Sequence, residues 1–568
     1  MKFKTYLLPL VALTLFLALA CSNTTGPGDD DDWNGEWVTV YFEGNNGSYY
    51  REVSVKDNHL IVLYDEPTLA GNDFAGWYTD DGTFLDDWDF ANDKVSYLHG
   101  DYYLYAKWEL DNPSAVFEIY NVTEMGYVGK GSANPAGYKT WKLNKNYKLM
   151  NNITLAGNWA PIGLGTWDNK FSGSFDGNSK TISGLTINKP TVNYQGLFGE
   201  VTENVVIKDL GLLNVDISGA SYVGGIAGRI GQGSIIQGCY VNGGTIKGNI
   251  DVAGIAGWSN YGTIRNCYVT SVAISGNSAG GIVGNSAGNS AGTLIGRVEN
   301  CYVTSSVTFT AIGTNPSDFG GIAGTNYGSI KNCYTQCNMN CGTASQVGGI
   351  SGTNQYTSVV ENCFSTGNIS GSSSIAGVVG ITWSGTIKNC YATGNISGNY
   401  QLGGITGSLR GYNSKAENCY ATGSISHTYN GTAIRAGGIA GGNENSVTVI
   451  INCVALAPSI ISDYSYGTSS MDRVIGNDVG SSPCVFSYGR TDMVLVPGSS
   501  SFNRYGAGID VSTGNAVTAS WWTAGGRWDT TNGTAWDLTT IWNPVSGSTL
   551  PTLRNMPGSP TQNPTVKP

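Results

Sequence analysis

The sequence predicts an all-β chain dominated by a parallel β-helix, or β-solenoid, of about nine coils. Two recurring signatures and one feature of composition carry that prediction. The first signature is an aliphatic side chain bracketed by glycines. It begins at Gly196-Leu197-Phe198-Gly199, Gly225-Ile226-Ala227-Gly228 and Gly254-Ile255-Ala256-Gly257 and recurs around Ile282, Ile322, Ile350, Val378, Ile405 and Ile439. The second is Asn-Cys-aromatic, as in Asn266-Cys267-Tyr268, Asn300-Cys301-Tyr302, Asn332-Cys333-Tyr334, Asn362-Cys363-Phe364, Asn389-Cys390-Tyr391 and Asn418-Cys419-Tyr420. Gly238-Cys239-Tyr240 and Asn452-Cys453-Val454 are imperfect copies at the two ends. Copies lie 27 to 34 residues apart, with one 40-residue gap between Ile282 and Ile322. In composition, the 568-residue chain holds 81 glycines and 40% hydrophobic residues but only 12% charged ones, and helical periodicity is absent. A period near 29 made of short strands and Gly turns is one coil of a solenoid.

Each strand then pairs with its copies above and below at ~4.8 Å, so nine coils span roughly 40 Å. The bracketed aliphatic forms an inward column that a single repeat cannot bury alone. Glycine fits where the backbone turns a corner or approaches its neighbour closely. The net charge of −11 offers no basic face for nucleic acid.

At the N-terminus, Lys2 and Lys4 precede an apolar run from Leu7 to Ala20, which reads as a signal peptide over residues 1–20. Ala18-Leu19-Ala20-Cys21 resembles a bacterial lipobox, with Ala18 in place of the usual Leu. The resemblance implies acylation of Cys21, hence membrane attachment through a lipid anchor and an outer-membrane lipoprotein on the bacterial cell surface; without acylation the chain is secreted. Residues 21–36 carry the run Asp29-Asp30-Asp31-Asp32, which reads as a charged, extended tether. Acidic residues just after the lipid Cys also resemble surface-lipoprotein sorting signals.

Residues 37–110 are aromatic-rich. Val38-Thr39-Val40-Tyr41-Phe42 and Tyr102-Tyr103-Leu104-Tyr105-Ala106-Lys107-Trp108 read as strands, with a hairpin turn at Gly44-Asn45-Asn46-Gly47. Together with Phe74-Ala75-Gly76-Trp77-Tyr78-Thr79 these residues resemble the Listeria–Bacteroides repeat, which implies a small β-grasp-like module serving as a spacer or interaction domain. Trp77 and Trp108 are expected as core anchors rather than ligand platforms.

Asp111-Asn112-Pro113 marks the next boundary, and the solenoid is expected over 111–459. Its glycine-bracketed units resemble the GLUG motif of large bacterial surface proteins, including adhesins, with Trp159-Ala160-Pro161-Ile162-Gly163 and Phe171-Ser172-Gly173-Ser174-Phe175-Asp176-Gly177 as the lead-in. Residues 460–510 read as an irregular Ser/Gly-rich insertion, and 511–568 as a Trp-rich terminal coil or cap and tail whose aromatics close the open end of the stack, with a carbohydrate-binding aromatic platform as the alternative.

Catalytic and metal chemistry finds little support. Gly284-Asn285-Ser286-Ala287-Gly288 matches a nucleophile elbow, but it repeats in tandem inside a solenoid turn, far from the only His residues, His59, His99 and His427. The Cys ladder places parallel side chains that do not converge on disulfides. Cys333, Cys337 and Cys341 mimic a metal site without a completing pair; a Cys337–Cys341 disulfide is the better expectation in an exported protein. Acidic residues such as Asp209, Asp216, Asp251 and Asp318 are sparse, with no two expected in register. No cofactor, metal or catalytic residue is assigned.

One candidate site remains. If each ladder Cys points inward, alternation sends the following aromatic outward. Tyr240, Tyr268, Tyr302, Tyr334, Phe364, Tyr391 and Tyr420 would then form a surface stripe able to stack on a ligand, or would stack on one another and only stabilise the coils. Anchor, tether, module and solenoid together predict an adhesin-like, non-catalytic lipoprotein binding a host or matrix protein or glycan. A polysaccharide-acting β-helix enzyme and a passive spacer are the alternatives.

Overall fold

A computed structural model describes residues 35–45, 50–62, 66–135, 137–165, 169–289, 292–293, 295–428, 434–444, 448–462, 470–478, 484–496 and 506–568. The signal peptide, Cys21 and most of the tether lie outside the described residues. The chain divides into two units, residues 1–110 and 111–568.

In the first unit β1 (Trp37–Glu43), β2 (Tyr50–Lys56), β3 (Asn72–Tyr78) and β4 (Tyr102–Leu110) form one sheet in the order β2-β1-β4-β3. The central β1–β4 pair is parallel and the outer pairs are antiparallel, as in a β-grasp-like module. Alternation places Val38, Val40 and Phe42 on the buried face, where Trp77 meets Phe42 edge-on at 4.9 Å. Trp77 is 2% exposed, and Trp108 packs on Phe74 and donates its indole N–H to the Gly44 carbonyl at 2.6 Å. Both act as core anchors.

The second unit is a solenoid with three main faces and a shorter fourth. One face is a nine-stranded parallel sheet from Val223–Gly224 to Ser470–Asp472; the next is a ten-stranded parallel sheet from Phe198–Val201 to Ile475–Asp478. A third face carries the column of Ile236, Ile264, Val298, Ile330, Val360 and Ile387, then the Cys and aromatic columns. A six-stranded sheet from Met339–Asn340 to Val494–Val496 completes the later coils.

Sequence identity explains each corner. The Asn of every Asn-Cys unit, from Asn266 to Asn452, holds a left-handed φ between 52° and 54°, which Asn tolerates better than most residues. The amides also bond along the rod: Asn332 donates to Asn300 at 3.2 Å, Asn362 to Asn332 at 3.1 Å, and Asn389 to Asn362 at 3.1 Å. In the glycine-bracketed motif, a Cβ on Gly321 would lie 2.2 Å from the Gly349 carbonyl of the next coil. On Gly324 it would lie 2.6 Å from the Gly284 carbonyl of the preceding coil. The aliphatics between, Ile226 through Ile439, are completely buried.

Large aromatics fill the start of the interior: Trp141, Tyr147, Phe171, Phe175 and Phe198 pack in a chain of ring contacts 4.9 to 6.3 Å apart. A short helix, α1 (Val122–Met125), sits beside them and inserts Met125. Its N-cap Asn121 accepts from the Glu124 N–H while Glu124 accepts from the Tyr120 N–H, a reciprocal cap.

Within 460–510, which the sequence suggested to be an irregular insertion, the described strands belong to the solenoid. The segments Ser470–Asp472 and Ile475–Asp478 extend the two main sheets by one coil, with Val474 taking the inward aliphatic place. The coil is hard to read because its glycine bracket and Asn-Cys signature have been lost.

Candidate functional site

The aromatic column exists as expected, and the Cys beside each ring is fully buried inside. The Cys thiols donate to backbone carbonyls, as Cys267 does to Arg265 at 3.2 Å, and burial pushes the pKa of Cys239, Cys267 and Cys301 well up. Cys337 and Cys341 are also buried free thiols, so the expected disulfide between them is not formed. Outside the solenoid wall the seven rings stack with centroids 4.8 to 5.1 Å apart and planes within 2° to 6° of parallel. A ring in such a stack has both faces occupied by its neighbours.

The outward stripe is therefore corrected in two ways. Its faces are spent on the stack, and Tyr334, Phe364, Tyr391 and Tyr420 are at most 3% exposed. Only Tyr240, Tyr268 and Tyr302 stay partly exposed. The Trp-rich segment supplies the cover. It includes α2 (Thr513–Ala516) and α3 (Ala519–Thr523) and builds a second core of Trp521, Trp522, Trp528, Trp536 and Trp542 against the column. Tyr391 donates to Gln562 Oε1 at 2.9 Å, and Lys567 reaches the Thr393 carbonyl at 2.6 Å. The Trp residues thus clad the flank, and none of them packs into the solenoid interior as an end cap would. The sequence signal for this was the outward aromatic column itself, since so much apolar surface demands a partner.

A different groove runs along the rod where the nine- and ten-stranded sheets meet. One wall is the residue preceding each strand pair of the nine-stranded sheet: Tyr194, Tyr222, Asp251, Ser278, Asp318, Gln346, Ser374 and Gln401, coil after coil. All but Ser278 hold φ between 54° and 59°. The facing wall is Arg229, Trp258, Asn285, Thr325, Thr353, Ile381 and Ser408. Side chains bridge the walls: Asp318 accepts from the Thr353 hydroxyl, and Gln401 donates to Ser408 Oγ at 3.3 Å.

Asp251 and Asp318 therefore do fall in register, two coils apart, which corrects the expectation that no two acids would. Ser278 lies between them, donating to Asp251 Oδ1 at 3.4 Å. Residues inserted in the 40-residue gap hid that register from counting along the sequence. Burial, with the Asp318 charge adding to it, raises Asp251 to about 7; burial also raises Asp318. At its later coils the groove opens into a cleft of about 390 Å³ lined by Asp318, Gln346, Thr353, Gln355, Tyr356, Ile381, Trp383 and Arg410. Tyr356 is 44% exposed and Trp383 49%, and Trp383 stacks on no other ring among the described residues.

The motif resembling a nucleophile elbow has no such exposure. Ser286 is completely buried, in an inward column with Ser259 and Asn326. His427 is buried against Ser462 Oγ at 3.0 Å. Among the described residues no group of three His, Cys, Asp or Glu is placed to hold a metal ion, and no helix is long and apolar enough to cross a membrane.

Residues 39–107 match the Listeria-Bacteroides repeat domain, and residues 343–370 and 371–397 each match the GLUG motif. The chain joins a Listeria-Bacteroides repeat to a GLUG solenoid. The coils outside the matched GLUG units share their strand register, so the motif marks the most regular part of a longer stack. Similarity to curated proteins is partial. A Gly-rich membrane protein of Evansella cellulosilytica is 39% identical over 97 residues, covering 17% of this chain and 11% of the relative. A second membrane protein of that organism is 37% identical over 87 residues, covering 15% and 12%. Halomucin of Haloquadratum walsbyi is 30% identical over 163 residues, covering 27% of this chain and 2% of halomucin. The chain thus matches no more than 12% of the length of any of the three.

Proposed function

We propose that the chain is a surface-held protein whose GLUG solenoid binds a glycan in the flank cleft, an adhesin-like and non-catalytic role. The observation that carries this reading is the pairing of half-exposed Trp383 and Tyr356 with the polar groups of Asp318, Gln346 and Gln355 behind them. Aromatic faces with converging polar groups suit a saccharide ring, which has an apolar face and a hydroxyl edge. Surface placement rests on acylation of Cys21 and on the acidic tether. The repeat types and the relatives named as membrane proteins fit a surface location.

The test is a glycan and matrix-protein array probed with the mature chain. Binding to a glycan that is lost in Trp383→Ala and Tyr356→Ser but kept in Tyr240→Ser supports the cleft. Binding that survives both cleft variants would sink it. Growth in labelled palmitate, with Cys21→Ala as control, checks the anchor, and label persisting in the variant would refute acylation at that residue.

The in-register pair Asp251 and Asp318 favours one competing reading, a polysaccharide-cleaving groove. Incubation with a polysaccharide panel decides between them: depolymerisation abolished by Asp318→Asn replaces the non-catalytic assignment.

A further inference from the structure

Resting on the glycan reading of the cleft, we infer that the site is longer than the cleft and takes a linear, uncharged polysaccharide lying parallel to the rod axis. Trp383 sits at one end of the groove. Trp258 stands four coils earlier on the same sheet face, in the column that reaches Ile381, two residues short of Trp383 along the strand, so the two are about 20 Å apart at the usual strand spacing. There the Tyr222 ring at 5.3 Å and the Arg229 guanidinium at 5.0 Å pack on Trp258, which keeps only part of its ring exposed, so an aromatic side chain stands at each end of a track running close to the rod axis.

The stretch between is polar. Asp251, Asp318 and the amide of Asn285 line it, and the amide oxygen of Asn285 accepts no hydrogen bond. The cations nearest the track already face carboxylates: Arg229 lies 3.2 Å from Glu200 and Arg410 lies 3.1 Å from Glu444. A polyanionic glycan needs unpaired guanidinium or ammonium groups to match its charge, and among the described residues of this groove these two are committed. The strand pairing that builds the walls is in register from coil to coil, so the track is preformed and a flexible ligand alone bears the ordering cost. Repeating units that are each apolar on one face and hydroxylated at the edge match an aromatic–polar–aromatic track. A single sugar would fill only one end.

Calorimetry on the folded full-length chain with glucan, mannan and xylan oligosaccharides of two to eight residues tests this, with heparin fragments as the charged control. Affinity should rise at least tenfold from the shortest to the longest members of one neutral series. Trp258→Ala should remove that gain while leaving affinity for the shortest member unchanged, and Trp383→Ala should weaken both. Circular dichroism confirms that each variant is folded. Length-independent affinity, or an unchanged gain in Trp258→Ala, overturns the extended track while leaving the cleft intact. Preference for heparin overturns the uncharged ligand. Failure to bind any glycan, on this panel and on the array alike, overturns the underlying glycan reading as well.

Discussion

Tyr420 donates its buried hydroxyl to the carbonyl of Pro551, 131 residues later, at 2.7 Å. This contact ties the returning C-terminal segment to the aromatic column, and it sits among Trp522, Trp536 and Trp542, all within 6.2 Å of the Tyr420 ring. Tyr420→Phe keeps the stack but strands that buried carbonyl, which should cost about 1–3 kcal/mol. Trp536→Ala empties part of the second core and should cost about 3–5 kcal/mol. Denaturant unfolding followed by Trp fluorescence reads both. Equal effects from the two variants would contradict a packed flank.

The Asn ladder gives a separable prediction. Asn389 combines φ of 52° with an amide that donates to Asn362. Asn389→Gly relieves the backbone but loses the amide bond, whereas Asn389→Ala loses the bond and must also hold a left-handed conformation. Ala should therefore be the worse by about 1 kcal/mol. A thermal melt in which Ala equals Gly would show that the corner conformation contributes nothing.

Gly352 faces the backbone of Asp318 and Phe319, and an added Cβ would lie 2.6 Å from each. Gly352→Ala should destabilise by about 1–3 kcal/mol through overpacking. Gly82→Ala, where nothing lies within 4 Å, should change stability by no more than about 0.5 kcal/mol. Matched melts of the two variants check this, and a silent Gly352→Ala would mean that the coils can separate without cost.

The groove makes stability depend on pH. Asp251 holds its proton up to about 7, well above its value in the unfolded chain near 3.8, so the folded state binds more protons between those limits. Stability is then greatest below about pH 4 and falls as the pH rises toward 7, by roughly 4 kcal/mol at most from this group. Asp251→Asn should flatten that decline, with Asp318 sustaining what remains. Unfolding midpoints at pH 4, 5.5 and 7 give the slope, and an unchanged slope in the variant would remove Asp251 as its source.

Local periodicity by itself determined the coil. Inward Ile and Cys columns, glycine brackets and an outward aromatic all follow from strand alternation and from the backbone space that a 29-residue period allows, and they needed no distant partner. The two repeat families were legible for the same reason, because their motifs are contiguous.

Tertiary structure alone decided what lies outside the wall. Nothing in the order of residues says that Pro551 returns to Tyr420, so a stripe that reads as a binding surface became the floor of a second core. Nor could counting along the chain bring Asp251 and Asp318 into one column, because insertions between coils shift sequence spacing while leaving the backbone hydrogen-bond ladder in step. A solenoid's interior obeys its period, but its surface sites are set by whichever loops and tails the period does not constrain.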